Sequence, residues 1–329
     1  MKVLIVGAGV AGLAIGWRLA ERGVDVEIFE RGVAGRGATW ASAGMIAPGA
    51  EQVHETDAIS QFAKDARMQW PAFARELETA SGRSISYREA GSLIVAETLE
   101  RARALEIRAD ALARQGASAR WLSALQLRER EPLLSDALLG GLYLADDAQV
   151  DNRALTDALC AAFEEAGGRL HEHCEVRSLV LDERLHAVAT AKGVVEGDVI
   201  VLACGAWMNL IGGLRAGDLP PVKPAKGQMV ACEPPAGTSL PHSPIWADDV
   251  YLVPREERLF IGATVEDASF DTAISRDARD CLLGAATRLM PSLRQWRVAE
   301  MWAGLRPRTP DDAPVLGATA ISGLCIASG

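Results

Sequence analysis

Val3-Leu4-Ile5-Val6-Gly7-Ala8-Gly9-Val10-Ala11-Gly12, at the start of the chain, is the stretch that decides the fold. Its first four residues are apolar and mostly β-branched, as a strand buried on both faces should be. They run directly into G-x-G-x-x-G. Leu13, Ile15, Trp17 and Leu19 continue a helix-compatible stretch that ends at Gly23, a residue type suited to a helix C-terminus. A second strand, Val24–Phe29, leads to Glu30 and Arg31, with Glu30 eighteen residues on from Gly12. In a βαβ dinucleotide fold, Gly7 permits the tight turn and Gly9 lets the backbone approach a pyrophosphate. Gly12 lets the helix pack closely on the strand. Val10 and Ala11 open that helix, whose amide groups and positive dipole end attract the phosphates. The carboxylate of Glu30 can accept hydrogen bonds from both ribose hydroxyls and repels a 2′-phosphate. G-x-G-x-x-G alone is a weak motif, but strand, glycines, helix, strand and acid in this order predict a dinucleotide site. NAD and FAD both remain open, and NADP is disfavoured.

The 329 residues are 49% hydrophobic and 24% charged, ordinary for about two globular domains. Lys and Arg number 34 against 44 Asp and Glu, so the net charge of −10 argues against nucleic acid or an anionic membrane as partner. One small anion held by a local arginine remains compatible with it. Six cysteines stand singly, outside any C-x-x-C or zinc spacing, and read as buried free thiols of a reducing cytoplasm. His171 and His173, two apart, read as ordinary surface or core histidines, so no metal is expected. Lys2 and the apolar run to Trp17 superficially resemble a signal peptide, but Gly7, Gly9, Gly12 and Gly16 interrupt it. No window of about 20 uninterrupted apolar residues follows. A cytoplasmic protein without a membrane span is expected.

Arg36-Gly37-Ala38-Thr39-Trp40-Ala41-Ser42-Ala43-Gly44-Met45-Ile46 separates FAD from NAD. It resembles the second cofactor segment of glycine oxidases and D-amino-acid dehydrogenases, members of the FAD-dependent D-amino-acid oxidase superfamily. There an A-T-x-A-S-A-G-M run passes the pyrophosphate and the isoalloxazine ring. Small residues let the backbone press against a flat ring, and Thr39 and Ser42 offer hydroxyl donors. The resemblance adds Ala38, Ala43, Gly44 and Met45 to the FAD contacts. It extends them to Val176, whose backbone meets the adenine, and to Gly205, in the turn that follows the strand Val199–Leu202.

The rest of the chain reads as two interleaved domains. Helices are expected at Ala58–Ser81 (interrupted at Pro71), Leu99–Gln115, Ser123–Glu131 and Asp151–Ala166, and strands at Glu175–Leu181 and Val199–Leu202. A β-rich block follows at Gly227–Glu233, Val250–Pro254 and Leu259–Ala263. The expected fold class is α/β, α+β overall. It combines a Rossmann-type FAD-binding domain (1–85, 145–218 and 303–329) with a substrate domain built on an antiparallel sheet (86–144 and 219–302).

Trp302-Ala303-Gly304-Leu305-Arg306-Pro307, followed by Thr309-Pro310-Asp311, resembles the W-x-G-L-R-P-x-T-P-D motif of the same family. There the arginine, here Arg306, binds the substrate carboxylate. A guanidinium fork suits that task because it pairs bidentately and stays charged at any working pH. Tyr251, one of three tyrosines, corresponds to a pocket tyrosine near that carboxylate, and Val265 is expected to face the same pocket. The resemblance further implies a G-H-[YF]-R-N-G segment and a helix after Leu324–Gly329, capping the flavin pyrimidine and supplying a second arginine. It implies oxidation of glycine, sarcosine or small D-amino acids by hydride transfer from Cα to flavin N5. The products would be a 2-oxo acid, ammonia (or an amine) and, from O₂, hydrogen peroxide. It also implies a homo-oligomer and a role in thiamine thiazole synthesis. The rival readings are a D-amino-acid dehydrogenase with another electron acceptor, an oxidase of a bulkier secondary amine, and a flavin-binding module without turnover.

Overall fold

The strand Lys2–Val6 lies between two parallel neighbours, Asp25–Phe29 on one side and Val199–Leu202 on the other. Val3 to Val6 carry no charge and all four are buried, as expected for a parallel strand covered on both faces. The computed structural model describes residues 1–51, 58–181 and 186–329. Its six-stranded sheet runs Val315–Ala318, Leu324–Ser328, Val199–Leu202, Lys2–Val6, Asp25–Phe29, Arg169–His171, and only the Val315–Ala318 edge is antiparallel. The helices Val10–Ala20, Ala58–Ser81 and Asn152–Glu165 contribute Leu13, Trp17, Leu77, Leu159 and Phe163 to the core on one face. Asp151 caps the last of these, its Oδ1 accepting from the N–H groups of Arg153 and Ala154.

The helix Ala58–Ser81 corrects one expectation, because it continues through Pro71. Proline removes the bond to the Arg67 carbonyl, at a cost of about 3 kcal/mol in an unsupported helix. Both flanks are docked here. Arg67 donates to the Asp146 carbonyl and to Glu89, and Trp70 stacks on Tyr87 and meets Phe73 edge-on.

The second sheet has eight strands in the order Arg297–Arg308, Lys223–Glu233, Arg258–Gly262, Tyr251–Arg255, Ile245–Trp246, Ser92–Ala96, Gly140–Leu144, Ala119–Ser123. All its pairings are antiparallel except Ile245–Trp246 against Ser92–Ala96. One face packs on the helix Arg276–Leu289 through Val230, Leu252, Ile261, Leu282 and Leu289. The opposite face meets the segment around Ala38–Ala41 through Met229, Phe260 and Trp302. No helix among the described residues is long and apolar enough to cross a membrane.

Candidate active site

The glycine loop folds as its sequence requires. Gly7 has φ +104°, and a Cβ there would lie 2.4 Å from the Ala203 carbonyl oxygen. A Cβ on Gly12 would lie 2.0 Å from the Gly7 oxygen. Gly9 takes the N-cap position of the helix Val10–Ala20, with no side-chain cap of its own. Glu30 stands at the tip of its strand, accepting from Ala8 N–H and Gly32 N–H at 2.9 Å each. A carboxylate has about four acceptor positions, so capacity for a ribose remains. Cys174 N–H donates to the Glu30 carbonyl, which holds the strand Val176–Leu181 beside the acid. Arg31 lies with its guanidinium 3.7 Å from the ring of Trp207, in the turn Gly205–Leu210 that opens at Gly205.

The hydroxyls of the second segment divide. Thr39 Oγ1 accepts from Val10 N–H at 3.0 Å and keeps its proton to donate. Ser42 lines the cleft, but its hydroxyl donates to the Thr39 carbonyl at 2.9 Å and so is not a free donor.

The strand register explains the substrate side. Tyr251, Gly262, Met229 and Trp302 stand directly opposite one another across four strands, and Gly227 and Gly304 follow two residues along. Opposed residues, and every second residue along a strand, share a face. Trp302, Gly304 and Arg306 therefore project together, toward the segment Ala38–Met45. The two surfaces enclose a cleft of about 250 Å³ walled by Ala38, Ala43, Gly44 and Met45 on one side and by Met229, Tyr251 and Arg306 on the other. Arg306 crosses Gly227, where a Cβ would lie 2.4 Å from its guanidinium, and donates to the Thr264 carbonyl at 3.2 Å. Tyr251 donates to Met229 Sδ at 3.1 Å. Burial pushes its phenol pKa up, with Arg306 opposing. Val265 is exposed and lines an adjoining cleft that Arg306 also borders, with Arg308 and Asp312.

Several site residues were not anticipated from the sequence. Glu51 lines the cleft with Arg306. Although part of the residue meets solvent, its carboxyl faces the interior, and burial pushes it up to about 7, with Asp147 adding and Arg306 opposing. Asp147 is itself buried and raised to about 6, although it accepts from Gly49 N–H and Ala50 N–H. Trp246 packs against Tyr251 at 5.4 Å, and its buried indole N–H has no partner among the described residues. His171 has a carboxylate neighbour, Glu27 at 2.6 Å, supplied by strand pairing. Cys281 is exposed, against the expectation of buried thiols.

A family model described as FAD dependent oxidoreductase, DAO, matches residues 2–329. A glycine oxidase of Geobacillus kaustophilus is 36% identical over 319 residues, covering 96% of this chain and 83% of that protein. A bifunctional protein ThiO/ThiG of Trichormus variabilis is 33% identical over 335 residues, covering 99% of this chain and 49% of its own length. The chain thus spans about half the length of its bifunctional relatives. Among solved structures, glycine oxidase from Geobacillus kaustophilus superposes with a TM-score of 0.94 at 35% identity, covering 100% of this chain and 89% of that one. Iminodiacetate oxidase from Chelativorans superposes with a TM-score of 0.90 at 27% identity, covering 99% and 89%.

Proposed function

This chain belongs to the DAO family of FAD dependent oxidoreductases, and from that premise we propose that it is an amine oxidase of the glycine oxidase type. Gly7, Gly9, Val10, Ala11 and Gly12 would hold the pyrophosphate of FAD, Glu30 its ribose with Arg31 beside it, and Val176 its adenine. Ala38, Thr39, Ala43, Gly44 and Met45 would hold its ring, with Gly205 at the neighbouring turn. The residues suit that group. The loop has no side chain larger than methyl before Val10, and the wall of the cleft is built from small residues that leave room for a flat ring. One observation carries the reading: the sheet face bearing Arg306 and Tyr251 closes a cleft against that wall.

Bound FAD supplies the acceptor for a hydride from the substrate Cα. Arg306 binds the substrate carboxylate, and this fixed orientation provides much of the rate. Tyr251 adds a hydroxyl on the same side. The partly desolvated cleft lowers the amine pKa, so the reacting neutral amine forms without a dedicated protein base. Water hydrolyses the imine to a 2-oxo acid and ammonia, or to methylamine where sarcosine is the substrate, and O₂ takes the electrons to give hydrogen peroxide. Glycine, sarcosine and small D-amino acids are the proposed substrates, with a role in thiamine thiazole synthesis in the cytoplasm. The likeness to iminodiacetate oxidase favours a second reading, a bulkier secondary amine. We assign 1–85, 145–218 and 303–329 to FAD binding, and 86–144 and 219–302 to the substrate. The strand Arg297–Arg308 crosses one of these boundaries and serves both.

The test is the visible spectrum of the FAD-loaded chain, taken anaerobically with glycine, sarcosine and D-alanine, and peroxide release in air. Bleaching by one amine is expected. Arg306→Ala should keep its flavin and lose about a hundredfold in kcat/KM; unaltered kinetics would remove Arg306 from the site.

A further inference from the structure

Four carbonyl groups of the cleft wall are held by side chains that lie outside the cleft. Asn152 Nδ2 donates to the carbonyls of Thr39 and Trp40, at 2.6 and 3.0 Å. Trp302 Nε1 donates to that of Ala41 at 2.9 Å, and Arg255 Nη2 to that of Ala43 at 2.6 Å. The two polar holders are themselves joined. Arg255 Nη1 donates to Asn152 Oδ1 at 2.7 Å and pairs with Asp151 at 3.1 Å. Asp151 is fixed in turn as the cap of the helix Asn152–Glu165.

Arg255 is only 6% exposed. Burial lowers its pKa and Asp151 opposes the shift. A buried ion pair is a weak source of stability, since apolar residues of similar volume often do as well. An apolar residue cannot, however, orient a peptide plane. In a trans peptide the carbonyl and the following N–H point in opposite directions. The Ala43 carbonyl is drawn toward Arg255, so the Gly44 N–H points the other way, toward the cleft that Gly44 lines. Gly44 is held at φ +69°, and a Cβ there would lie 2.8 Å from the Arg255 guanidinium. Tyr251 and Arg255 stand four residues apart on one strand and share a face.

We propose that Arg255 is a positioning residue: with Asn152 it fixes the turn of residues 39–44, whose Trp40, Ala41 and Ser42 N–H groups are bonded locally, so that the Gly44 N–H meets the bound flavin, and it thereby sets flavin affinity and reduction potential. The inference rests on the proposed seat of FAD in this cleft, not on the identity of the amine.

The experiment uses the FAD-loaded full chain and its Arg255→Met and Asn152→Asp variants. Read-outs are the FAD dissociation constant, the visible absorption band, the midpoint potential and the affinity for acetate. Arg255→Met should weaken FAD about tenfold or more and shift both band and potential, while acetate, bound at Arg306, keeps its affinity. Asn152→Asp retains the partner of Arg255 but replaces the donors to Thr39 and Trp40 by a carboxylate oxygen. It should shift the spectrum in the same way, and it carries the test if Arg255→Met does not fold. A folded variant with wild-type FAD affinity, band and potential overturns the proposal. An FAD-loaded wild type that no amine reduces, but whose band still moves in Arg255→Met, removes the amine reading and retains the positioning role.

Discussion

Arg306 and Glu51 share one cleft, and their charges act in opposite directions on an incoming carboxylate. Glu51 is neutral below about pH 7, where burial and Asp147 hold its proton, and it becomes an anion above. Acetate affinity, followed through the flavin spectrum, should therefore fall between about pH 6 and about pH 8. Glu51→Gln should flatten that fall, and a fall of undiminished slope in the variant would assign it to another group. Arg306 was legible because a dense local motif surrounds it. Glu51 was not: its neighbours Asp147 and Arg306 are remote in sequence, and no short motif announces a carboxyl that only tertiary packing perturbs. Ser42 and Val265 illustrate the same limit. Their residue types suited a ligand, but a local hydrogen bond occupies the proton of the first, and the second lies past the end of its strand in an adjoining cleft on Arg306.

Among elements, the strand Arg297–Arg308 approaches the cleft wall closely. A Cβ on Gly304 would lie 2.3 Å from the Ala41 Cβ. Gly304→Val should cost about 1–3 kcal/mol by overpacking and increase flavin loss on gel filtration, measured as the ratio of flavin to protein absorbance. Asp151 joins a helix cap to the Arg255 pair. Asp151→Ala should lower the unfolding free energy in urea by about 2 kcal/mol or more, beyond the usual loss of an N-cap alone. A loss no larger than that of a cap would show the pair to be energetically idle. Most elements of the nucleotide half were legible, because apolar runs and glycines there obey local rules. The strands Ser92–Ala96, Ala119–Ser123 and Gly140–Leu144 were not read from the sequence. Ser92–Ala96 owes its pairing to Ile245–Trp246, far along the chain, and Gly140–Leu144 is set between Ser92–Ala96 and Ala119–Ser123. Pro71 likewise failed as a stop signal because docking on both sides outweighed a local penalty.

For the whole molecule, the shifted carboxyls set how stability responds to pH. Asp147 and Glu51 rise from 3.8 and 4.5 to about 6 and about 7. Between those limits the folded chain binds more protons than the unfolded one, so their contribution is lost as pH rises. Glu27 behaves oppositely. Burial alone would raise it, but Lys2, Arg169 and His171 hold it at about 2, so its contribution is present above about 4.5 and lost as pH falls toward 2. Urea melts of the flavin-free chain should give a higher midpoint at about pH 5.5 than at about pH 8, and Asp147→Asn should narrow the difference. A midpoint that rises with pH would contradict the burial of this pair.

The position of the first strand also bears on how the chain is made. Lys2–Val6 can zip to Asp25–Phe29 early, but its other edge belongs to Val199–Leu202, which in turn is bordered by Leu324–Ser328. On the ribosome the glycine loop therefore emerges well before Val199–Leu202 and waits through nearly two hundred further residues with an open strand edge. Such non-local pairing is slow to form and prone to mispairing. The motif that announces the cofactor earliest in the sequence is thus among the last parts of the protein able to hold it.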